Sequence, residues 1–322
     1  MRMAREHGAR RDEVNRGRLA AMVGLLLVCL GAAPVTVSAA GDLHLGSSST
    51  EAQVAPLSQL LSGEVRFVNL EGPLTASGHE SGVDKAPGPA VPPRFNAPPV
   101  AARWLQGRVD VVSLANNHAL DQGEAGLAET VTLLRARGLQ AATATGDAAL
   151  ERRGQHLRLL ARDLPEHWSA QVATALEARV REARASGPVL VSLHWGRTGA
   201  LLPSPEQREL AERLIDAGAT AVLGHGPHTL QGIEGHGQGV IAYSLGNLAF
   251  ACRCTDERDA YVLRFGIDGE GAAVDVEALP LRAGLREPPR FSSEPEVAQL
   301  LRSLSEDLGS QVRLQDGRVL IR

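Results

Sequence analysis

Five of the ten histidines in the sequence stand at the ends of short apolar runs, close to carboxylates or amides. Imidazole, carboxylate and amide oxygen form the ligand set that proteins offer to borderline divalent metal ions. The segments are Gly41-Asp42-Leu43-His44, Asn69-Leu70-Glu71, Asn116-Asn117-His118-Ala119-Leu120-Asp121, Leu193-His194-Trp195 and Gly224-His225-Gly226-Pro227-His228. Asp42 and His44 are two residues apart, which on an extended chain puts both side chains on one face. A lone strand-end histidine is usually structural, so it is the series of five that indicates a metal site.

The apolar runs that precede these segments are typical of strands buried on both faces. They cover residues 35–40, 65–70, 109–114, 188–193, 219–223 and 239–244. Amphipathic stretches at 124–138 and 169–185, and one opening at Ser204-Pro205, predict helices between them. The C-terminal third predicts strands at 261–267 and 273–281, a helix near 295–308 and a hairpin through Asp316-Gly317. This alternation predicts one α/β domain, in which the carboxyl ends of the strands meet at a crevice where ligands bind.

Residues 75–100 contain six prolines and three glycines and show no periodicity. The segment leaves directly from Asn69-Leu70-Glu71, so one interpretation makes it a wall over the site. The other makes it a solvated surface loop. Lys85, the only lysine in the chain, lies in it and is a candidate to meet a carboxylate or phosphate.

The first residues indicate export. Residues 1–18 carry six arginines against three acidic residues, and residues 19–41 carry no charge. This pattern predicts a signal peptide or an N-terminal membrane anchor over residues 1–34, with the domain at 35–322. Cleavage after Ala39 would delete a predicted strand, so the alternatives are cleavage nearer Ala33 or a retained anchor. We therefore expect an extracytoplasmic protein that meets the membrane only through this segment.

The composition limits which partners and ligands the protein can bind. With 33 basic and 37 acidic residues and no basic run beyond the N-terminus, the sequence argues against nucleic acid. Outside the leader only Cys252 and Cys254 remain. Their pairing is open, because a bridge between residues i and i+2 is uncommon, and two cysteines without a second pair argue against a structural zinc site.

The ordered series of strand-end motifs, together with Tyr243-Ser244-Leu245-Gly246-Asn247, resembles the bacterial capsule-synthesis CapA (PGA_cap) family. That family is similar to the calcineurin-like metallophosphoesterases, and the likeness runs from about Val35 to Leu281. It implies a four-layer αββα sandwich. It also implies a role with an anionic cell-surface polymer, typically poly-γ-glutamate, and membrane-bound capsule-synthesis components as partners.

The resemblance also implies roles for individual residues. Asp42, His44 and His228 match the ligands of a first metal, and Asn117, His194 and His225 those of a second. Glu71 stands where the phosphoesterases have a bridging Asp, and the resemblance implies two divalent ions (Mn, Zn or Fe). His118 matches a general acid that Asp121 orients. Asn69, Asn116, Lys85 and Asn247 are candidates for contact with substrate.

Two functions remain open on these residues. One is a metal-dependent hydrolase-type protein acting on a phosphoester, amide or γ-glutamyl bond. The other is a non-catalytic accessory protein that binds or transfers the growing polymer in the same crevice. A secreted α/β domain with purely structural histidines is the third, blander alternative.

Overall fold

The computed structural model describes residues 33–83 and 92–322. Residues 35–322 form one compact unit. Residues 1–32 of the predicted leader, and Lys85, lie outside the described residues. The strands are β1 Val35–His44, β2 Val65–Leu70, β3 Val111–Ser113, β4 Gln140–Ala142, β5 Ala148–Arg152, β6 Gln155–Asp163, β7 Val189–His194, β8 Ala221–His225, β9 Ile233–His236, β10 Gly239–Ala242, β11 Asn247–Phe250, β12 Asp259–Ile267, β13 Ala273–Arg282, β14 Gly284–Leu285, β15 Arg290–Phe291, β16 Val312–Gln315 and β17 Arg318–Ile321. The helices are α1 Leu57–Leu60, α2 Ala101–Leu105, α3 Gly123–Arg135, α4 Ala170–Arg184, α5 Pro205–Asp216 and α6 Pro295–Asp307, with a 3-10 turn at Glu51–Gln53.

The strands form two sheets. The larger follows the order β16-β17-β13-β12-β1-β2-β3-β4, with β11, β14 and β15 attached beside this path. The smaller follows β5-β6-β7-β8-β10-β9. In both sheets the central strands are parallel, β1 to β4 in one and β6, β7, β8 and β10 in the other. Their carboxyl ends therefore carry the polar segments that follow each strand.

Three apolar cores separate four layers. Val37 and Phe67 of the larger sheet and Leu190 of the smaller sheet belong to a core between the sheets. On the outer face of the larger sheet Val68 packs in a core shared with α1, α2 and α3. On the outer face of the smaller sheet Val191 packs in a core shared with α4 and α5. Since alternate residues of one strand serve opposite cores, both sheets are covered twice, and the predicted αββα sandwich is confirmed.

A local signal explains where α5 begins. The helix predicted at Ser204 begins there with a capping box, in which the Ser204 hydroxyl accepts from the Gln207 N–H and the Gln207 side chain accepts from the Ser204 N–H. The hairpin of β5 and β6, whose turn holds Arg153 and Gly154 at positive φ, was not among the predicted elements. Its strands mix charged and apolar residues, so they lack the continuous apolar run that marked the others.

Cys252 and Cys254 form a disulfide, which decides the question that their spacing left open. Within 33–83 and 92–322, no helix combines the length and the apolar character needed to span a bilayer.

Candidate metal centre

The ends of β1, β2, β7 and β8 meet at one edge of the sandwich. Asp42 is the register partner of Asn69 in β2 and of Asn247 in β11. In the other sheet His194 at the end of β7 is the register partner of His225 at the end of β8. The parallel strands thus bring together side chains that are as much as 186 positions apart in sequence, from Asp42 to His228. We call Asp42, Glu71, His194, His225 and His228 the acid–imidazole cluster.

Asp42 is the centre of this cluster and is fully buried. Its Oδ1 lies 3.2 Å from His225 Nδ1, and its Oδ2 lies 3.2 Å from His228 Nδ1. Asn69 Nδ2 donates to Oδ1 at 2.9 Å. Burial alone would raise the pKa of Asp42, but the close approach and charges of the His225 and His228 imidazoles outweigh it and hold this pKa well below its usual range. The carboxyl is therefore an anion at neutral pH.

Glu71 supplies the second buried carboxylate. Its Oε1 lies 3.4 Å from His194 Nε2, and its Oε2 has no hydrogen-bond partner among the described residues. Ligand atoms of Asp42, Glu71 and His228 lie within 4.8 Å of one another, which is the spacing of a common metal site. Two carboxylates held this closely and out of water require a positive partner between them.

The two outer imidazoles are held by acceptors. His194 Nδ1 lies 2.9 Å from Asp163 Oδ1. Burial lowers its pKa, but the carboxylates of Asp163 and Glu71 reverse this and raise the pKa of His194 to about 10. For His228 burial is likewise outweighed, by the charges of Glu71 and Asp42, and its pKa rises to about 9. Both rings thus take up a proton where no other cation is present to balance the carboxylates.

His225 is the clearest orphan of the cluster. The residue is 1% exposed, and both of its ring nitrogens lack a hydrogen-bond partner in the described structure. The approach to Asp42 does not have hydrogen-bond geometry. Leaving a buried polar atom without a partner costs about 1–3 kcal/mol, and Glu71 Oε2 and His194 Nε2 add two further such atoms. A divalent cation would satisfy Glu71 Oε2, His194 Nε2 and the unprotonated nitrogen of His225, so the residues present fit a metal.

Amides bridge the ligands from behind. Asn69 Oδ1 accepts from Asn116 Nδ2 at 3.1 Å, and the same Nδ2 donates to the Leu70 carbonyl at 2.9 Å. Asn247 Oδ1 lies 3.0 Å from His228 Nδ1, while its Nδ2 donates to the Glu257 carbonyl. Because Nδ1 of His228 faces two acceptors, it carries the proton and leaves Nε2 as the free ligand atom.

His44 is placed differently from Asp42, although the two were expected to share a face. Its Nδ1 accepts from the Cys252 N–H at 3.2 Å, so its Nε2 is the donor to Glu80 Oε1, also at 3.2 Å. Burial lowers the pKa of His44, and the Glu80 charge only partly opposes this. The ladder between β1 and β11 shifts register between Asp42 and Leu43, and such an irregularity re-aims side chains.

An aromatic stack lies beside the cluster. The Phe95 ring stands between those of His44 and His118, with ring centroids 3.8 Å apart on each side. His118 Nδ1 lies 2.7 Å from Asp121 Oδ2, and the Phe95 N–H donates to the same oxygen at 2.6 Å. Asp121 therefore holds both the imidazole and the loop that covers it, and it leaves Nε2 of His118 as the atom that can exchange a proton.

Both described arms of the proline-rich segment rest on site residues, through Glu80 and Phe95. They are tied together by bridges between Leu74 and Ala97 and between Ser81 and Arg94. The disulfide loop adds a third contact, since the Arg253 N–H donates to the Val83 carbonyl at 2.8 Å. The arms therefore form a wall, as one of the two sequence interpretations has it.

Asn117 does not join the cluster. Its side chain is exposed, whereas that of the preceding Asn116 is buried and bonded to Asn69. The two asparagines follow the end of β3 in a turn, where the alternation of a strand no longer decides which side chain points inward. As a ligand Asn117 remains a prediction from the resemblance, and it would have to turn toward the cluster.

Three residues that hold the site were not singled out from the sequence. Phe95 and Glu80 lie in a segment without periodicity, so nothing in the sequence marked them. Asp163 could have been identified, because it is the polar residue at the end of β6, in the same position as the other site residues on their strands. It pairs in register with His194. Because β6 itself was not predicted, Asp163 was not identified.

Comparison with known proteins agrees with this geometry. The model of a family described as "Bacterial capsule synthesis protein PGA_cap", which has a metallophosphoesterase-like fold, matches residues 36–251. The chain is 34% identical over 119 residues to the capsule biosynthesis protein CapA of Bacillus anthracis, which is 37% of this chain and 29% of that protein. It is 31% identical over 132 residues to the PGA biosynthesis protein CapA of Bacillus subtilis, 41% of this chain and 34% of that one.

A third relative is a probable polyglutamine synthesis accessory protein of Mycobacterium tuberculosis, 31% identical over 215 residues, which is 58% of this chain and 55% of that protein. The matches thus span 29% to 55% of these relatives' own lengths. The family model, by contrast, matches more than half of this chain and includes all the strand ends of the cluster. The protein therefore belongs to the bacterial capsule synthesis protein family PGA_cap.

Proposed function

We propose that the protein is an exported, divalent-metal-dependent hydrolase-type protein that acts on an anionic cell-surface polymer of the poly-γ-glutamate kind. The observation that carries this proposal is the acid–imidazole cluster, with two buried carboxylates, three imidazoles and ligand atoms left without partners. Purely structural histidines would have their ring nitrogens bonded. Those of His225 are not, and this disfavours the structural alternative.

Asp42, Glu71 and His228 would hold one ion, and His194 and His225 face the same space from the other sheet. Imidazole and carboxylate together suit manganese, zinc or iron. A divalent ion at this position would supply Lewis-acid polarisation of a substrate carbonyl or phosphoryl oxygen. Two ions are expected by resemblance; for His44 to serve as a ligand, its bond to Glu80 would have to open.

The chain's own residues account for the proton. Hydrolysis of an amide adds water across the C–N bond, and the leaving nitrogen must gain a proton. Asp121 holds Nδ1 of His118, so Nε2 is the atom that would deliver this proton. Asn69 and Asn116 keep the carboxylates of the cluster oriented while this happens.

Metal content and turnover test the proposal together. Protein purified without chelator should contain manganese, zinc or iron by elemental analysis, and with added metal it should cleave γ-glutamyl oligomers or a phosphodiester. Asp42→Asn and His225→Ala should abolish both properties. His236→Ala is the matched control, because His236 pairs with Asp216 at the surface. No metal in the parent protein, or full turnover in both cluster variants, would refute the proposal.

The accessory function is the second candidate, and the stack favours it. Phe95 covers one face of His118 and of His44, which limits access of a substrate to the His118 ring. An accessory protein would bind the polymer and hand it to membrane-bound components without cleaving it. Polymer binding without turnover in the metal-loaded protein would select this candidate.

Export rests on the first 34 residues. Fused to alkaline phosphatase, which folds actively only outside the cytoplasm, this segment should yield an active reporter. Replacing Leu26 and Leu27 by Arg should abolish that activity because it interrupts the apolar run. An inactive parent fusion would contradict an extracytoplasmic location.

A further inference from the structure

A pocket of about 180 Å³ opens beside the cluster, between the end of β7 and the start of α5. Gly196 and Gln207 form its floor, and charged side chains of Glu166, Arg197 and Glu206 stand at its exposed rim. None of these residues takes part in the metal site described above. The pocket is therefore a separate feature that adjoins the metal site.

The floor presents a hydrogen-bond donor without an acceptor. Gln207 is 4% exposed, and its Oε1 is used by the capping box, where it accepts from the Ser204 N–H at 2.9 Å. Its Nε2 has no partner among the described residues. Gly196, at φ +78°, leaves room for that amide, since a Cβ there would lie 2.8 Å from Nε2. A buried amide N–H without a partner favours a ligand that brings an oxygen.

The rim carries both signs of charge. Arg197 enters no ion pair in the part of the chain that the structure describes, so its guanidinium is available to a carboxylate. Glu166 and Glu206 add two carboxylates to the same rim, and these favour a positively charged group on the ligand. A purely anionic ligand would be repelled by them, whereas a group with a carboxylate next to an ammonium suits the whole rim.

The pocket is mechanically tied to the metal site. Gly196 is two residues beyond His194, which limits the separation of their Cα atoms to about 7 Å. The Gly199 N–H donates to the Pro227 carbonyl at 2.9 Å, in the turn between His225 and His228. Gln231 Nε2 donates to the Ala200 carbonyl at 2.8 Å. The loop that lines the pocket is therefore hydrogen-bonded to the segment that carries His225 and His228.

We propose that this pocket binds the amino-terminal unit of a γ-linked glutamyl chain, with its carboxylate on Arg197 and Gln207 and its ammonium facing Glu166 and Glu206. Only that unit of such a chain carries a carboxylate and a free ammonium on the same carbon. A cavity of about 150 Å³ accepts benzene, so this one has room for a single unit.

This inference rests on the proposed function and gives it a direction. The amide of the bound unit would reach the cluster, water would add across its C–N bond, and one free glutamate would leave. The rest of the chain would keep the nitrogen as its new amino end. The protein would therefore shorten the polymer from the amino end, one unit at a time.

The test compares γ-glutamyl-glutamate with its N-acetylated form, by calorimetric binding to the manganese-loaded protein and by mass spectrometry of products. The free dipeptide should bind on the order of 10-fold more tightly than the acetylated one. Arg197→Ala should weaken binding by a similar factor and raise KM with little change in kcat, and Arg197→Lys should restore part of the loss. Glu166→Gln should narrow the difference between the two ligands. Arg302→Ala, a surface pair partner of Glu306, is the control.

Equal binding of both dipeptides, or unchanged binding in Arg197→Ala, would overturn the inference even if the protein holds metal and hydrolyses internal bonds. Arg197-dependent binding by a protein that takes up no metal would support the pocket and refute the proposed function. The two failures are thus distinguishable in one set of samples.

Discussion

The acid–imidazole cluster and the aromatic stack occupy the same edge of the sandwich and draw their histidines from similar strand ends, yet they differ in how those rings are bonded. In the stack both nitrogens of His44 have protein partners, and Nδ1 of His118 is held by Asp121. In the cluster His225 has none and His194 keeps an unpartnered Nε2. The type of residue therefore does not distinguish the two regions; the hydrogen-bonding capacity that remains unfilled does.

The difference arises from what covers each region. The proline-rich wall contributes Glu80 and Phe95 to the stack, where the Glu80 carboxylate pairs with His44 and the Phe95 ring lies between the two imidazoles. The cluster lies between the edges of the two sheets, where Asn69, Asn247 and Asp163 each bond to one side of its residues and leave the other side free. A cation would fill the unpartnered positions of the cluster, whereas both nitrogens of His44 in the stack already have partners.

The substitution Asp42→Ala tests the cluster directly and should have the largest effect. Removing a buried charge that neighbours two imidazoles should lower the free energy of unfolding by about 4 kcal/mol and abolish metal uptake. Urea denaturation and elemental analysis measure both. Asp216→Ala, at an exposed position, should change neither; a stable Asp42→Ala protein that still holds metal would show that Asp42 is not the centre of the cluster.

Phe95→Ala tests the stack alone. It removes a buried ring packed between two imidazoles and should cost about 3 kcal/mol of stability, while the metal content stays at the parent level. Phe291→Ala is the control, because that ring is 39% exposed. If the Phe95 variant lost its metal, the two regions would form one unit rather than two.

Asp163→Asn sharpens the role of the residue behind His194. A carboxylate that orients a metal-bound imidazole typically contributes about 10- to 100-fold in metal affinity, and we expect a loss in that range with the fold intact. Titration with manganese followed by calorimetry measures it, and Asp163→Glu should recover part of the affinity. An unchanged affinity would make the pair at 2.9 Å merely structural.

His44→Gln should have the smallest effect. Its partners are the Cys252 N–H and Glu80, so we expect a loss of about 1 kcal/mol and no change in the number of metal ions per chain. Denaturation and elemental analysis again apply. A fall from two ions to one would show that His44 turns to the cluster, as the resemblance implies.

Much of the fold could be predicted because the buried strands carry continuous apolar runs and α5 carries a capping box. The hairpin of β5 and β6 could not, since one face of each strand is charged and a mixed pattern is ambiguous between strand and loop. Because β6 was not predicted, Asp163 was not identified as a site residue either. The choice between Asn116 and Asn117 was equally out of reach, because adjacent asparagines in a turn differ only in the direction that the turn gives them.

The amino-acid sequence by itself determined which chemistry is present: the order of acids, amides and imidazoles after successive strands, and through it the family. Only the tertiary structure decided which of these groups face a common space and which are already bonded. The reason is that a strand's alternation is local, whereas the surroundings of His44 and His225 depend on loops and a second sheet that lie far away along the chain.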